Sequence, residues 1–133
     1  MGNDLIHSEQ KSSAISILQQ NNLGEILQPL IREIHLFDSY VAGTTHLKEP
    51  SVLKEIKVGD SLALQREDNR YDQNAILIMT SDKKKLGYVP EKDNTVFARL
   101  MDAGKILKAK ITDIKPKDNY FTLINIGIFL VDL

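Results

Sequence analysis

The densest run of hydrogen-bonding side chains is Arg66-Glu67-Asp68-Asn69-Arg70-Tyr71-Asp72-Gln73-Asn74-Ala75. Arg66 and Arg70 carry guanidinium forks that pair with phosphate. Tyr71 offers a face for stacking, and an ionised Asp72 can only accept hydrogen bonds. Together these residue types read as a recognition loop. A second reading is open on the same residues: a long polar hairpin loop in which Asp68, Asn69 and Asp72 bond to nearby backbone amides. Tyr40 precedes Val41-Ala42-Gly43, where a glycine lets a ligand or another backbone come close, and a place in the core or a place in a binding site both fit it. Tyr88, in Leu86-Gly87-Tyr88-Val89-Pro90, fits a rim tyrosine with a wet hydroxyl or a second binding aromatic. Lys83-Lys84-Lys85 reads as a solvated turn, with phosphate contact as the alternative.

Other chemistries find no residues to carry them. His7, His35 and His46 do not fall at a metal-ligand spacing, and with no cysteine in the chain a thiolate site is excluded. There is no phosphate-binding glycine loop, no serine-nucleophile elbow, no zinc-protease helix and no dinucleotide fingerprint. Carboxylate neighbours such as Glu67 and Asp68 are not placed around a scissile bond by anything in the pattern. The expectation is a non-enzyme without metal or cofactor.

The elements that would hold these residues are mostly strands. Ser61 to Arg66 alternates with Leu62 and Leu64 inward, after a turn at Val58-Gly59-Asp60. Asn74 to Met79 is a nearly continuous apolar strand, and Ser81 to Lys84 turns it into Lys85 to Val89, which Pro90 closes. Leu36 to Thr45 is rich in aromatic and β-branched residues and reads as an earlier strand. Leu107, Ala109 and Ile111 share one face of a strand over Ile106–Ile114, and Ile124, Ile126 and Ile128 share one face of Tyr120–Val131, with a turn at Pro116 to Asn119. One helix intervenes, capped by Asp93 or Asn94, with a stripe of Val96, Phe97, Leu100 and Met101 and with Gly104 at its C′ position. Short strands at this spacing predict a mainly β fold: a small antiparallel barrel of about six strands with one internal helix, which plugs one end or packs on the side.

Residues 1–30 differ from the rest. All eight aromatics fall at or after Phe37. Ser12 or Ser13 can cap a helix carrying Ile15 and Leu18, Asn21 to Gly24 stops it, and a second short helix from Glu25 ends before Pro29. The expected organisation is a helical N-terminal extension over 1–30, suited to docking on a partner or a second copy, and a main domain over 31–133.

The length of 133 residues suits one domain, and 42% apolar with 26% charged is ordinary globular composition. Seventeen basic against eighteen acidic residues, a net charge of −1, exclude a broadly basic nucleic-acid domain and leave only local patches. No apolar run reaches the ~20 residues needed to span a bilayer. Met1-Gly2-Asn3-Asp4 is not a basic segment followed by an apolar one, as a signal peptide would be, and the absence of cysteine fits a reducing cytoplasm.

Several strings together carry a resemblance. Val41-Ala42-Gly43-Thr44, Gly59 to Glu67, Asn69-Arg70-Tyr71-Asp72-Gln73-Asn74-Ala75-Ile76 and Leu86-Gly87-Tyr88-Val89-Pro90 resemble, in order and spacing, a HIRAN domain from about Phe37 to the C-terminus. That family accompanies fork-remodelling SWI/SNF-type helicases and also occurs alone in bacterial proteins, the form this chain is similar to. The resemblance implies an OB-like barrel, a place in DNA repair and binding of single-stranded DNA at a free 3′-hydroxyl end. It implies that Asp72 accepts from the terminal hydroxyl, that Tyr71 and Asn69 shape the pocket, that Tyr40 stacks a base and that Phe121 adds an apolar contact. With Arg66, Arg70, Tyr88 and Lys92 these form the candidate interface. The alternative is a protein-interaction module without DNA binding. DNA-binding members carry arginine where this chain has Ser39, histidine where it has Tyr88 and lysine where it has Glu91, with Lys92 adjacent. Fewer cations would flatten the salt dependence, which scales with the phosphates neutralised.

Overall fold

The computed structural model describes residues 31–117 and 121–132. The helices expected over 1–30, and the turn centre at 118–119 with Tyr120, lie outside the described residues. Six strands run β1 (Arg32–Tyr40), β2 (Ser61–Arg66), β3 (Ile76–Met79), β4 (Lys85–Tyr88), β5 (Leu107–Pro116) and β6 (Thr122–Asp132), with helix α1 (Glu91–Asp102) between β4 and β5. They form one sheet in the order β1-β6-β5-β2-β3-β4. The pairs β2–β3, β2–β5, β3–β4 and β5–β6 are antiparallel.

Period-2 patterning sets which face is buried. Ile124, Ile126 and Ile128 of β6, Ala109 and Ile111 of β5, and Ile76 and Ile78 of β3 are essentially inaccessible to solvent. A fully buried aliphatic side chain of this size contributes about 1.5–3 kcal/mol over an exposed one. The opposite face of β5 carries Lys108 and Lys110, which both bind Glu33 of β1. These two ammonium groups hold the Glu33 carboxyl below its ordinary range. The β3–β4 hairpin turns at Lys83 and Lys84, where the Thr80 carbonyl accepts from Lys83 N and the Lys84 carbonyl accepts from Thr80 N.

A sheet with edges at β1 and β4 would be open, but the chain just past β1 joins them. Val41 N donates to Ile124 O of β6, and Ala42 then exchanges both backbone hydrogen bonds with Tyr88 of β4, at 2.8 and 2.9 Å. Register shifts at Ile78/Met79 and at Ile111/Asp113 supply the irregularity that lets strands bend toward such a closure. Gly87 makes the approach feasible: a Cβ there would stand 2.3 Å from Ala42 O and 2.5 Å from a Val41 methyl.

Two expectations are corrected. The first strand ends at Tyr40 rather than Thr45, because Gly43 takes a left-handed φ of 80° and starts a tight 3-10 turn over Thr44–His46, with another over Pro50–Lys54. Helix α1 begins at Glu91 with Pro90 before it, so neither Asp93 nor Asn94 caps it. Its buried stripe is Asn94, Phe97 and Ala98, while Val96 is largely exposed. Gly104 follows Ala103 with φ 94°, in the left-handed turn expected past the helix end.

The long loop between β2 and β3 is braced from below. Arg66 Nε and one terminal nitrogen grip the Asp102 carboxylate at 2.9 and 3.2 Å. The terminal nitrogens also donate to Ala75 O at 2.7 Å and Gln73 O at 2.9 Å. One guanidinium thus ties the loop's far end to the last turn of α1, and it holds the Asp102 carboxyl below its ordinary value of 3.8.

Two outcomes follow from this packing. Gly87→Ala forces the Ala42 carbonyl away and breaks the closing hydrogen bonds; overpacking and their loss together cost about 2–4 kcal/mol, read as a lower midpoint in urea denaturation. Asp102 is deprotonated more readily in the folded chain, so its contribution is complete above its ordinary value and fades as pH falls through the depressed one. Stability-versus-pH curves for the wild type and Asp102→Asn should therefore differ at neutral pH and converge in strong acid.

Candidate nucleic-acid interface

The loop from Glu67 to Asn74 is shaped by one side chain. Asn69 Oδ1 accepts from the backbone amides of Tyr71 and Asp72 at 2.9 and 2.8 Å, and Asn69 Nδ2 donates to Glu67 Oε2 at 3.0 Å. The same Glu67 oxygen accepts from the Tyr88 hydroxyl at 2.7 Å, joining the loop to β4. Of the two readings of this loop, the local turn bonds are present, and they build a concave surface rather than a self-contained knot.

That surface is a cleft of about 340 Å³, whose lining includes Gly43, Asn69, Tyr71, Asp72, Tyr88 and Glu91. It lies over the seam where the chain past β1 meets β4. Asp72 is half-buried in its wall. Its Oδ1 accepts from Asn74 N at 2.9 Å and its Oδ2 accepts from Asn94 Nδ2 at 2.8 Å. An ionised carboxylate offers about four acceptor positions, so two are used to aim it and two are left. Asn94 is 2% exposed, and this hydrogen bond satisfies a buried amide at the same time.

The remaining candidates divide by place. Tyr71 is 81% exposed, with the Arg70 guanidinium 5.1 Å from its ring centre and donating to its hydroxyl at 3.0 Å. Tyr40 ends β1 half-buried beside the start of α1, with the Lys92 ammonium 5.5 Å above its ring. Lys85 stands 4.6 Å above the Tyr88 ring and 3.3 Å from its hydroxyl. Arg70, Lys85 and Lys92 thus each sit on an aromatic face at or near the cleft. Arg66 is directed elsewhere: it faces a separate cavity with Asp68, Gln73 and Asp102, and four of its five donors are taken by the bracing contacts. Phe121 sits at the β5–β6 turn, 36% exposed, and is not part of the cleft lining.

Two of the positions that depart from the resemblance are placed by the structure. Ser39 is 9% exposed and its hydroxyl donates to Asp93 Oδ2 at 2.8 Å, which ties β1 to the first turn of α1. Glu91 brings a second carboxylate into the cleft beside Asp72. Asn94 is the site residue that sequence reasoning placed wrongly, as a cap. The signal was its spacing: positions 94, 97, 98 and 101 fall on one helical face, and a polar residue on that face needs a buried partner. Among the described residues no group of three or more His, Cys, Asp or Glu side chains is arranged to hold a metal, and no helix is long and apolar enough to cross a membrane.

Comparison with known proteins agrees with this architecture. A crystal structure of a protein from Lactobacillus plantarum is similar with TM-score 0.70 at 28% identity, over 77% of this chain and 99% of that one. The crystal structure of the HIRAN domain of human HLTF is similar with TM-score 0.59 at 18% identity, over 74% of this chain and 78% of that one. An NMR structure of the HLTF HIRAN domain gives TM-score 0.53 at 18% identity, with the same coverage. No protein of curated function matches the chain. The HIRAN domain family matches residues 34–130, which span β1 from its third residue to near the end of β6, and the chain belongs to that family.

Proposed function

We propose that the protein is a non-catalytic module that binds single-stranded DNA, taking the 3′-hydroxyl end into the cleft at Asp72. The observation that carries this reading is the Asp72 carboxylate, aimed by Asn74 N and Asn94 and lining a cleft with two tyrosines. A terminal hydroxyl is a donor and fits the unused acceptor positions. A terminal phosphate would bring further negative charge against the two carboxylates Asp72 and Glu91 and is rejected. Tyr71, already backed by Arg70, presents a base-stacking face, and base–aromatic stacking is worth about 1–3 kcal/mol by alanine substitution. Arg70, Lys85 and Lys92 are the cations for backbone phosphates in place of those the family carries at positions 39 and 91.

A protein-interaction role has one observation in its favour: among the described residues β1 is an edge strand, with Ile34 and Leu36 exposed, and such an edge accepts an added strand from a partner.

Fluorescence anisotropy at low salt separates the two. Oligonucleotides ending in a 3′-hydroxyl should bind more tightly than the same sequences ending in 3′-phosphate or 3′-deoxy. A hydrogen bond to a charged group is worth about 1.5–3 kcal/mol, or roughly tenfold to a hundredfold in Kd. Asn94→Ala, which removes the bond behind Asp72 at a position outside the cleft lining, should shrink that ratio, and Asp72→Asn should weaken the discrimination against phosphate, leaving the part due to Glu91. Equal affinity of the wild type for all three ends rejects end recognition. Absence of binding to any of them leaves the protein-interaction role.

A further inference from the structure

A second cavity, of about 370 Å³, lies under the β3–β4 turn. Its lining includes His46, Lys48, Glu49, Lys83, Lys84 and Lys85. In a chain with a net charge of −1, four lysines against one carboxylate in a single lining is a strong local excess. Lys84 is taken by Glu55, with its ammonium 2.9 Å from Oε1. Lys48 and Lys83 are exposed, and their ammonium groups make no hydrogen bond or ion pair among the described residues. Lys83 also holds φ 65°, making it the one non-glycine described residue in the left-handed region, where asparagine or glycine would sit with less strain.

This cavity and the Asp72 cleft are lined by different residues of the same two segments. The segment past β1 supplies Ala42 and Gly43 to the first and His46 to Glu49 to the second. Strand β4 supplies Tyr88 to the first and Lys85 to the second, and the Lys85 ammonium lies 3.3 Å from the Tyr88 hydroxyl. Lys85 and Tyr88 are three positions apart, about 10 Å of strand. The two cavities therefore lie one after the other along β4 and residues 42–49, with the Lys85–Tyr88 contact between them. The first is carboxylate-rich at Asp72 and Glu91, and the second is lysine-rich at the hairpin turn.

We infer that the lysine-lined cavity takes backbone phosphates of the strand whose 3′ end occupies the Asp72 cleft. This rests on the reading proposed above. The two cavities are matched to two parts of such a ligand: a neutral donor hydroxyl at the carboxylates, and phosphodiesters a few nucleotides upstream at Lys48, Lys83 and Lys85. The charge gradient asks for a neutral hydroxyl terminus at the carboxylate end, because a terminal phosphate there would lie against Asp72 and Glu91.

The test uses the double variant Lys48→Ala/Lys83→Ala, two exposed positions outside the Asp72 cleft, with oligonucleotides of about three and about ten nucleotides bearing 3′-hydroxyl or 3′-phosphate ends. The longer 3′-hydroxyl ligand should bind the variant roughly tenfold more weakly, and the slope of log K against log salt should fall by about 1.4, at about 0.7 per single-strand phosphate contact. The short ligand should keep both its affinity and its 3′-end preference. Unchanged affinity and slope for the longer ligand overturn the inference while leaving end recognition intact. Equal weakening of short and long ligands overturns it too, because the lysines would then act as a diffuse field. If the wild type ignores the 3′ terminus yet the variant loses affinity for the longer strand alone, the phosphate track stands and end recognition fails. Binding of no ligand at either length rejects both.

Discussion

The fold depends on one close backbone approach. Ala42 and Tyr88 exchange hydrogen bonds across a gap that admits no side chain at Gly87. Without that contact the two edges of the sheet, β1 and β4, would be left apart. With it, the segment after β1 is laid along β4, and the same seam becomes the floor of the Asp72 cleft. Closure and site formation are a single event in this molecule. A glycine here therefore serves shape and function together, and the flanking Leu86 and Val89 anchor it by being buried on either side.

Above that floor, the site is built by side chains satisfying one another rather than by a rigid strand. Asn69 gathers two amides and hands its own donor to Glu67, Glu67 holds Tyr88, and Asp72 is shared between its loop and Asn94 of α1. Buried polar networks of this kind hold their geometry only when every member is satisfied. Asn94 is the most enclosed member, and losing it would leave both a cavity and an under-determined carboxylate. Ser39 serves the same end from the other side, since its bond to Asp93 fixes β1 against the turn of helix that carries Glu91 and Asn94.

Much of this was legible before the structure, and the reason is local periodicity. Alternation over Leu107–Ile111 and Ile124–Ile128 names the inward residues, because a strand with one buried face repeats every two residues. The lysine turn and the glycine after α1 are likewise local signals. The contacts that aim the site were not legible, because they join distant parts of the chain. Arg66 meets Asp102 across 36 positions, and Ser39 meets Asp93 across 54. Arg66 looks like a phosphate ligand in sequence for the same reason that it makes a good brace: a planar fork suits any pair of oxygens. The start of α1 was missed because Asp93 and Asn94 have the chemistry of caps, and only tertiary packing turns Asn94 inward.

The distribution of charge has a kinetic consequence. The protein as a whole is close to neutral, and two of its lysines, 108 and 110, spend their charge on Glu33. A distant polyanion consequently feels almost no pull, and the lysines of the hairpin turn act only within about a Debye length, ~8 Å at physiological ionic strength. Encounter is then governed by diffusion and orientation rather than by steering. Added salt should act chiefly on how long a complex lasts, and little on how often one forms.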